Sequence, residues 1–231
     1  MTRKSGVEPV RLDPDKIVAA ALVVAERQGV AGMTLRMVGA ELGADPTAIY
    51  RHFASKDALV VAIAERLFAG ILEDEIPRSW RARMVWLARS GRDLYRAHPT
   101  IVETLATHPE ESHALAKLNE IGLGALRDAG LDDAEAGRFH EVFVSYIVGT
   151  GVNEAAWKGS PAAGREAARR WYAALDPADF PNSVAVAESL FPPPDEVFDL
   201  ALDVLLDAVA VAGKRHRSRA KSTSPTTRNR T

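Results

Sequence analysis

No cysteine occurs among the 231 residues. That excludes disulfides, thiolate metal sites and cysteine nucleophiles together, and it suits a reducing compartment. No apolar run approaches the ~20 residues that span a bilayer, and the opening MTRKSGVEPV lacks a signal peptide's hydrophobic stretch. A cytoplasmic chain with no membrane association is the expectation. Glycine-rich phosphate loops, HExxH and GxSxG patterns and alternating strand-like runs are missing too. Acidic and basic groups are instead scattered over helical surfaces, so neither an enzyme nor a catalytic residue is expected.

What is present is helical periodicity from end to end, hence an all-α fold. The most informative stretch is Thr34 to Phe53, TLRMVGAELGADPTAIYRHF. Leu35, Val38 and Leu42 recur at spacings of three and four and share one helical face. Gly43 is suited to the left-handed position that ends a helix, and Pro46 is preset for the first turn of another. Asp45, before the proline, is a natural N-cap. The second short helix keeps one inward anchor, Ile49, while Thr47, Tyr50, Arg51 and His52 point outward, as groups for phosphate oxygens and base edges in a major groove. Helix, tight turn and helix of this kind form a helix-turn-helix.

The run from Pro14 to about Leu67 resembles the N-terminal domain of TetR-family transcriptional regulators. The resemblance is carried by a first helix ending near Gln28-Gly29, then Thr34-Leu35-Arg36, Leu42-Gly43, Ile49-Tyr50, His52-Phe53 and Lys56-Asp57-Ala58-Leu59 in order. It implies a homodimeric helical repressor whose larger C-terminal domain dimerises and binds a small-molecule inducer. The implied DNA contacts are Thr34, Arg36, Asp45, Pro46, Thr47, Tyr50, Arg51, His52 and Lys56. Arg36 and Arg51 are expected to read bases, because a guanidinium matches guanine in the major groove; the alternative is that they contact only the DNA backbone. Two-fold symmetry implies a palindromic duplex operator.

Five segments follow: a flexible arm over 1–12, the helix-turn-helix domain over 13–54, a connecting helix over 55–76, a ligand-binding and dimerisation domain over 77–212, and a basic, disordered tail over 213–231. The tail carries seven basic residues and no acidic one, so the acidic surplus of the chain lies before it and leaves the first domain as the nucleic-acid surface. Within the C-terminal domain, helices end or restart near Pro77, Pro99, Pro109 and Gly130. The helix over 134–157 has two apolar faces, one with Phe139, Phe143, Tyr146 and Thr150, the other with Val142, Gly149, Asn153 and Ala156. The first face is expected to line a cavity and the second to approach a symmetry mate; the alternative is core packing for both. The apolar final helix over 195–212 is expected to join it in a four-helix dimer interface, as the resemblance implies. Five prolines between Asp176 and Pro194 point to a loop with a helical turn near 184–190.

For the inducer, Trp86, His98, His113, Asn119, Phe139 and Tyr146 fall in helices that enclose the family's pocket. His98, His108 and His113 lack the spacing of a metal pair on one helical face, so neither metal nor cofactor is expected. The competing function is a helical small-molecule-binding or interaction protein without sequence-specific DNA binding, which leaves the outward set on the second short helix without a purpose.

Overall fold

The computed structural model describes residues 12–98, 101, 112–156 and 161–223. The described residues contain helices and no strand. They divide into two compact units: 1–75 with 97–118, and 76–96 with 119–231.

The first unit is built on α1 (Pro14–Gly32), α2 (Leu35–Glu41), α3 (Pro46–Tyr50) and α4 (Lys56–Ile71). Asp13 caps α1 through the Asp15 amide, with Pro14 in the first turn. Gly29, at φ 72°, breaks the regular helix where Gln28-Gly29 was expected to end it, and one more turn reaches Gly32. Ile17, Ala21, Val24 and Ala25 form the buried stripe of α1. Val38 of α2, Ile49 of α3 and Leu59 and Ile63 of α4 complete the core. Each aliphatic side chain so buried contributes about 1.5–3 kcal/mol, which is how helices of five and seven residues, too short to persist alone, are held.

Two further ties belong to this unit. Glu65 on α4 accepts from the Ala114 amide and the Ser112 hydroxyl, at 2.9 and 2.8 Å. These bonds hold its carboxyl below the ordinary range, the Ala114 amide being the larger influence. His98 Nδ1 lies 2.7 Å from Glu26 Oε1.

The second unit holds α5 (Trp80–Ala97), most of α6 (His113–Asp128), α7 (Asp133–Ala156), α8 (Pro161–Ala173), the single turn α9 (Pro181–Ala185), a 3-10 turn (Ala187–Ser189) and α10 (Pro194–Thr223). Met84, Leu126, Phe143, Phe198, Leu202 and Leu206 sit at the centre of its core. One charged group is buried beside it: Arg92, held by Glu154 at 2.6 Å and Asp195 at 2.7 Å, with its guanidinium 4.3 Å from the centre of the Phe198 ring.

The expected disordered tail is corrected here. Helix α10 does not stop at Ala212; it continues to Thr223. Gly213 lies in a close crossing, where an added Cβ would come within 2.0 Å of the Ala129 carbonyl oxygen. Arg217 donates to that same carbonyl at 2.6 Å, and His216 faces Asp132 and Glu135 at the start of α7. Gly213, the first residue of the expected tail, is a packing position, and His216 and Arg217 after it are partners of the α6–α7 corner. Residues 224–231 of that segment, the arm over 1–11, the helix boundaries expected near Pro99 and Pro109, and His108 lie outside the described residues. The loop expected over 176–194 has its helical turn slightly early, at α9 and the 3-10 turn.

Candidate nucleic-acid interface and ligand cavity

In the first unit the α2–α3 corner is fixed by short-range hydrogen bonds. Thr34 caps α2 by accepting from the Met37 amide at 3.2 Å. Gly43, at φ 62°, turns the chain, and the Ala44 amide returns to the Gly39 carbonyl at 2.9 Å. A Cβ on Gly39 would lie 3.1 Å from the Ala44 carbonyl oxygen and 3.4 Å from Pro46 Cα, so the two helices meet over a bare backbone. That requirement was not read from the sequence, because a glycine inside a helical pattern signals packing only once its neighbour is known.

Asp45 then caps α3. Its Oδ1 accepts from the Thr47 amide at 2.8 Å and from the Thr47 hydroxyl at 2.6 Å. The hydroxyl and amide of Thr47, followed by the nearby charge of Arg51, hold the Asp45 carboxyl below its ordinary value. With Ile49 fully buried beneath, Thr47, Tyr50, Arg51 and His52 are exposed, Tyr50 at 57%. Arg36 is exposed on α2. Lys56, in the first turn of α4 and half-buried, donates to the Ala31 carbonyl at 2.8 Å. The structure therefore brings the nine expected residues onto the α2–α3 corner and the start of α4. Thr34, Asp45 and Pro46 set backbone direction there; Arg36, Tyr50, Arg51 and His52 present side chains.

In the second unit a cavity of about 880 Å³ lies among α7, α8 and the start of α10. Its walls are mainly apolar, with Phe191, Pro192, Val197 and Phe198 prominent. Tyr146 stacks on Phe198 at 5.4 Å between ring centres and donates to the Phe198 carbonyl at 2.7 Å. Arg96, Glu154, Arg165 and Asp195 supply charge. Arg92 holds the Asp195 carboxyl below its ordinary value, and Arg96 reinforces the effect.

Of the six residues expected for the inducer, only Tyr146 lines this cavity. Trp86 lines a separate depression along α5, and Phe139 packs against the core. Asn119 is half-buried on α6. His98 and His113 belong to the first unit, His98 against Glu26 and His113 exposed. The sequence reading missed Arg165, Phe191 and Asp195; of these only Phe191 lies in the proline-rich stretch before α10, whose Pro192 and Pro194 also line the cavity. One trio among the described residues, Asp132, Glu135 and His216, has potential metal-ligand atoms within 4.8 Å of one another. His216 Nε2 faces both carboxylates, and Asp132 Oδ1 already accepts from the Glu135 amide at 2.8 Å.

A short helix carried on a buried anchor beside a tight turn, ahead of a larger helical unit with a cavity, defines a helix-turn-helix regulator with an effector domain. Residues 17–63 match the model for bacterial regulatory proteins of the tetR family, and residues 74–212 match the tetracyclin repressor-like C-terminal domain. The chain belongs to the TetR family of transcriptional regulators. It is 26% identical over 216 residues to the HTH-type transcriptional repressor DrrR1 of Streptomyces coeruleorubidus, covering 88% of this chain and 79% of that protein. The fold is also that of Streptomyces coelicolor ActR in complex with actinorhodin, with TM-score 0.76, 20% identity and 88% and 99% of the two chains covered. BioQ of Mycobacterium smegmatis, solved with its double-stranded DNA operator, gives TM-score 0.62 at 23% identity, with 87% and 99% covered. Among the described residues no helix is long and apolar enough to cross a membrane.

Proposed function

We propose that the protein is a cytoplasmic, ligand-responsive repressor that acts as a homodimer on a palindromic operator and is released by a small-molecule inducer. The observation that carries the reading is the exposed set Thr47, Tyr50, Arg51 and His52 on a helix whose one buried side chain is Ile49. Among the described residues the side chains of Tyr50, Arg51 and His52 form no hydrogen bond or ion pair, the Thr47 hydroxyl bonds only Asp45, and the chemistry of all four suits phosphates and base edges. Arg36 and Arg51 read bases in this scheme; Thr34, Thr47, Tyr50, His52 and Lys56 hold phosphates, with Asp45 and Pro46 setting the entry of α3.

Dimerisation is supported by exposed apolar stripes on two helices. Val197, Leu200, Val204 and Val211 on α10 are 47–69% exposed, and Val142 and Val152 on α7 are 46% and 48% exposed. Stripes of this extent mark an interaction surface. A relative that is a repressor, and structural neighbours solved with an operator and with a small molecule, agree with the two activities. The test is a fluorescence-anisotropy titration of the full chain with the promoter DNA next to its own gene at several salt concentrations. Tight, salt-dependent binding with strong preference over random duplex is expected; equal affinity for both would sink the reading.

A further inference from the structure

We infer that the cavity among α7, α8 and the start of α10 takes an organic anion with an aromatic body, and that Arg165 is the group that holds its carboxylate. The inference rests on the effector reading above and names the ligand chemistry of that unit. The starting point is the charge pattern of the cavity. Its two carboxylates are already engaged: Glu154 by Arg92 at 2.6 Å and Arg96 at 3.6 Å, and Asp195 by Arg92 at 2.7 Å and Arg96 at 3.3 Å. A cationic ligand would have to displace arginines that are fixed in place. Arg165 has no hydrogen-bond or ion-pair partner among the described residues, although Glu166 beside it binds Arg169 and Arg170. Counting Arg92, three guanidiniums face two carboxylates, and the remaining positive charge lies on the half-buried Arg165.

A half-buried cation beside an apolar wall attracts an anion, and a guanidinium binds a carboxylate through two parallel hydrogen bonds. The aromatic part of the lining supplies the second half of the recognition. The half-buried rings of Phe191 and Tyr146, with Val197, favour a flat hydrocarbon body, Phe198 being buried against Tyr146 and Arg92, and about 880 Å³ is room for several fused rings. An arginine without a partner among the described residues and the aromatic lining together specify an aromatic acid.

The test uses the full-length protein and three acids of increasing size, benzoate, 2-naphthoate and anthracene-2-carboxylate, each paired with its neutral amide, in isothermal titration calorimetry. At least one acid is expected to bind saturably and more tightly than its amide. Arg165→Ala should weaken that acid about tenfold or more while leaving amide binding unchanged. Arg165→Lys should recover part of the loss, and Arg170→Ala, an exposed arginine on the same helix, should change nothing. No saturable binding by any acid, amides that bind as well as acids, or undiminished acid binding by Arg165→Ala each overturns the inference. Val197 belongs to the stripe assigned to the dimer, and Gly149 and Asn153 to the face expected to approach a symmetry mate, so sedimentation is run alongside. Loss of dimer without a change in acid binding would assign Arg165 to the protomer interface and overturn it too. Operator anisotropy separates the two claims. Acid binding through Arg165 that leaves operator affinity unchanged keeps the site and refutes the inducer reading, whereas operator release without dependence on Arg165 does the reverse.

Discussion

In the first unit each of the helices α1 to α4 begins at a residue whose own side chain accepts an amide two or three positions ahead: Asp13, Thr34, Asp45 and Ser55. In the second unit the main polar ties join residues far apart in the chain. Arg92 meets Glu154, Arg81 meets Asp203 and Asp207, and Arg217 meets the Ala129 carbonyl. Local caps direct the short helices of a corner that must present side chains accurately, because a five-residue helix has too few contacts to be directed otherwise. Distant ion pairs and close backbone crossings hold a larger body whose helices already have wide apolar faces and whose interior must still leave a cavity.

The contrast is broken or sharpened most strongly at Arg92. Its side chain is 8% exposed and that of Glu154 12%, so Arg92→Met leaves a carboxylate in the interior. Breaking such a pair costs about 3–5 kcal/mol; the Arg96 contact should keep the loss near the lower figure. Urea denaturation followed through the second unit's tryptophans measures it, and a loss as small as that of an exposed pair would remove the distinction between the units. Next comes Gly213→Ala, which must push α10 away from Ala129 and should cost about 1–3 kcal/mol, read as a lowered midpoint. On the nucleic-acid side, Arg51→Ala should cost about 1–3 kcal/mol at one operator position if it reads a base, and weaken all sequences alike if it meets only phosphate. A panel of single-base operator variants in anisotropy tells these apart. Ser55→Ala removes the acceptor for the Ala58 amide and should cost about 1 kcal/mol, seen as earlier melting of the first unit. The smallest effect concerns pH. Because the folded-state carboxyl of Asp45 is held below its ordinary value of 3.8, its stabilising bonds are fully present above that value. They are lost as pH falls through the depressed one, so Asp45→Asn should flatten the acid limb of a stability profile below about pH 4.

The same contrast explains what the sequence disclosed. The helix-turn-helix was legible because Asp45, Pro46, Gly43 and Thr34 act on neighbours two to four positions away, and Ile49 is the sole inward residue of α3. The all-α class followed from periodicity alone. Gly213 was misread because a helix-ending glycine and a helix-crossing glycine look alike until Ala129 is seen across from it. The cavity was illegible for a related reason. Arg165 sits on one helix, its aromatic wall on another and on the turn before α10, where Phe191 adopts φ 54°, and no spacing rule connects them. Of the residues assigned by family position, Tyr146 reached the cavity; the histidines did not.

The bond from the Thr47 hydroxyl to Asp45 has a consequence for how DNA would be greeted. The proton that Thr47 would offer a phosphate is already given to an anionic oxygen 2.6 Å away. Under the proposed contact, Asp45 would stand in for the phosphate by occupying that donor. On the operator the hydroxyl would exchange one negatively charged acceptor for another, and α3 would keep its backbone cap through the Thr47 amide. Recognition at that corner would then be a substitution between like acceptors, which would spare the hydroxyl an unpaired interval and leave discrimination to the neighbouring arginines of the proposed interface.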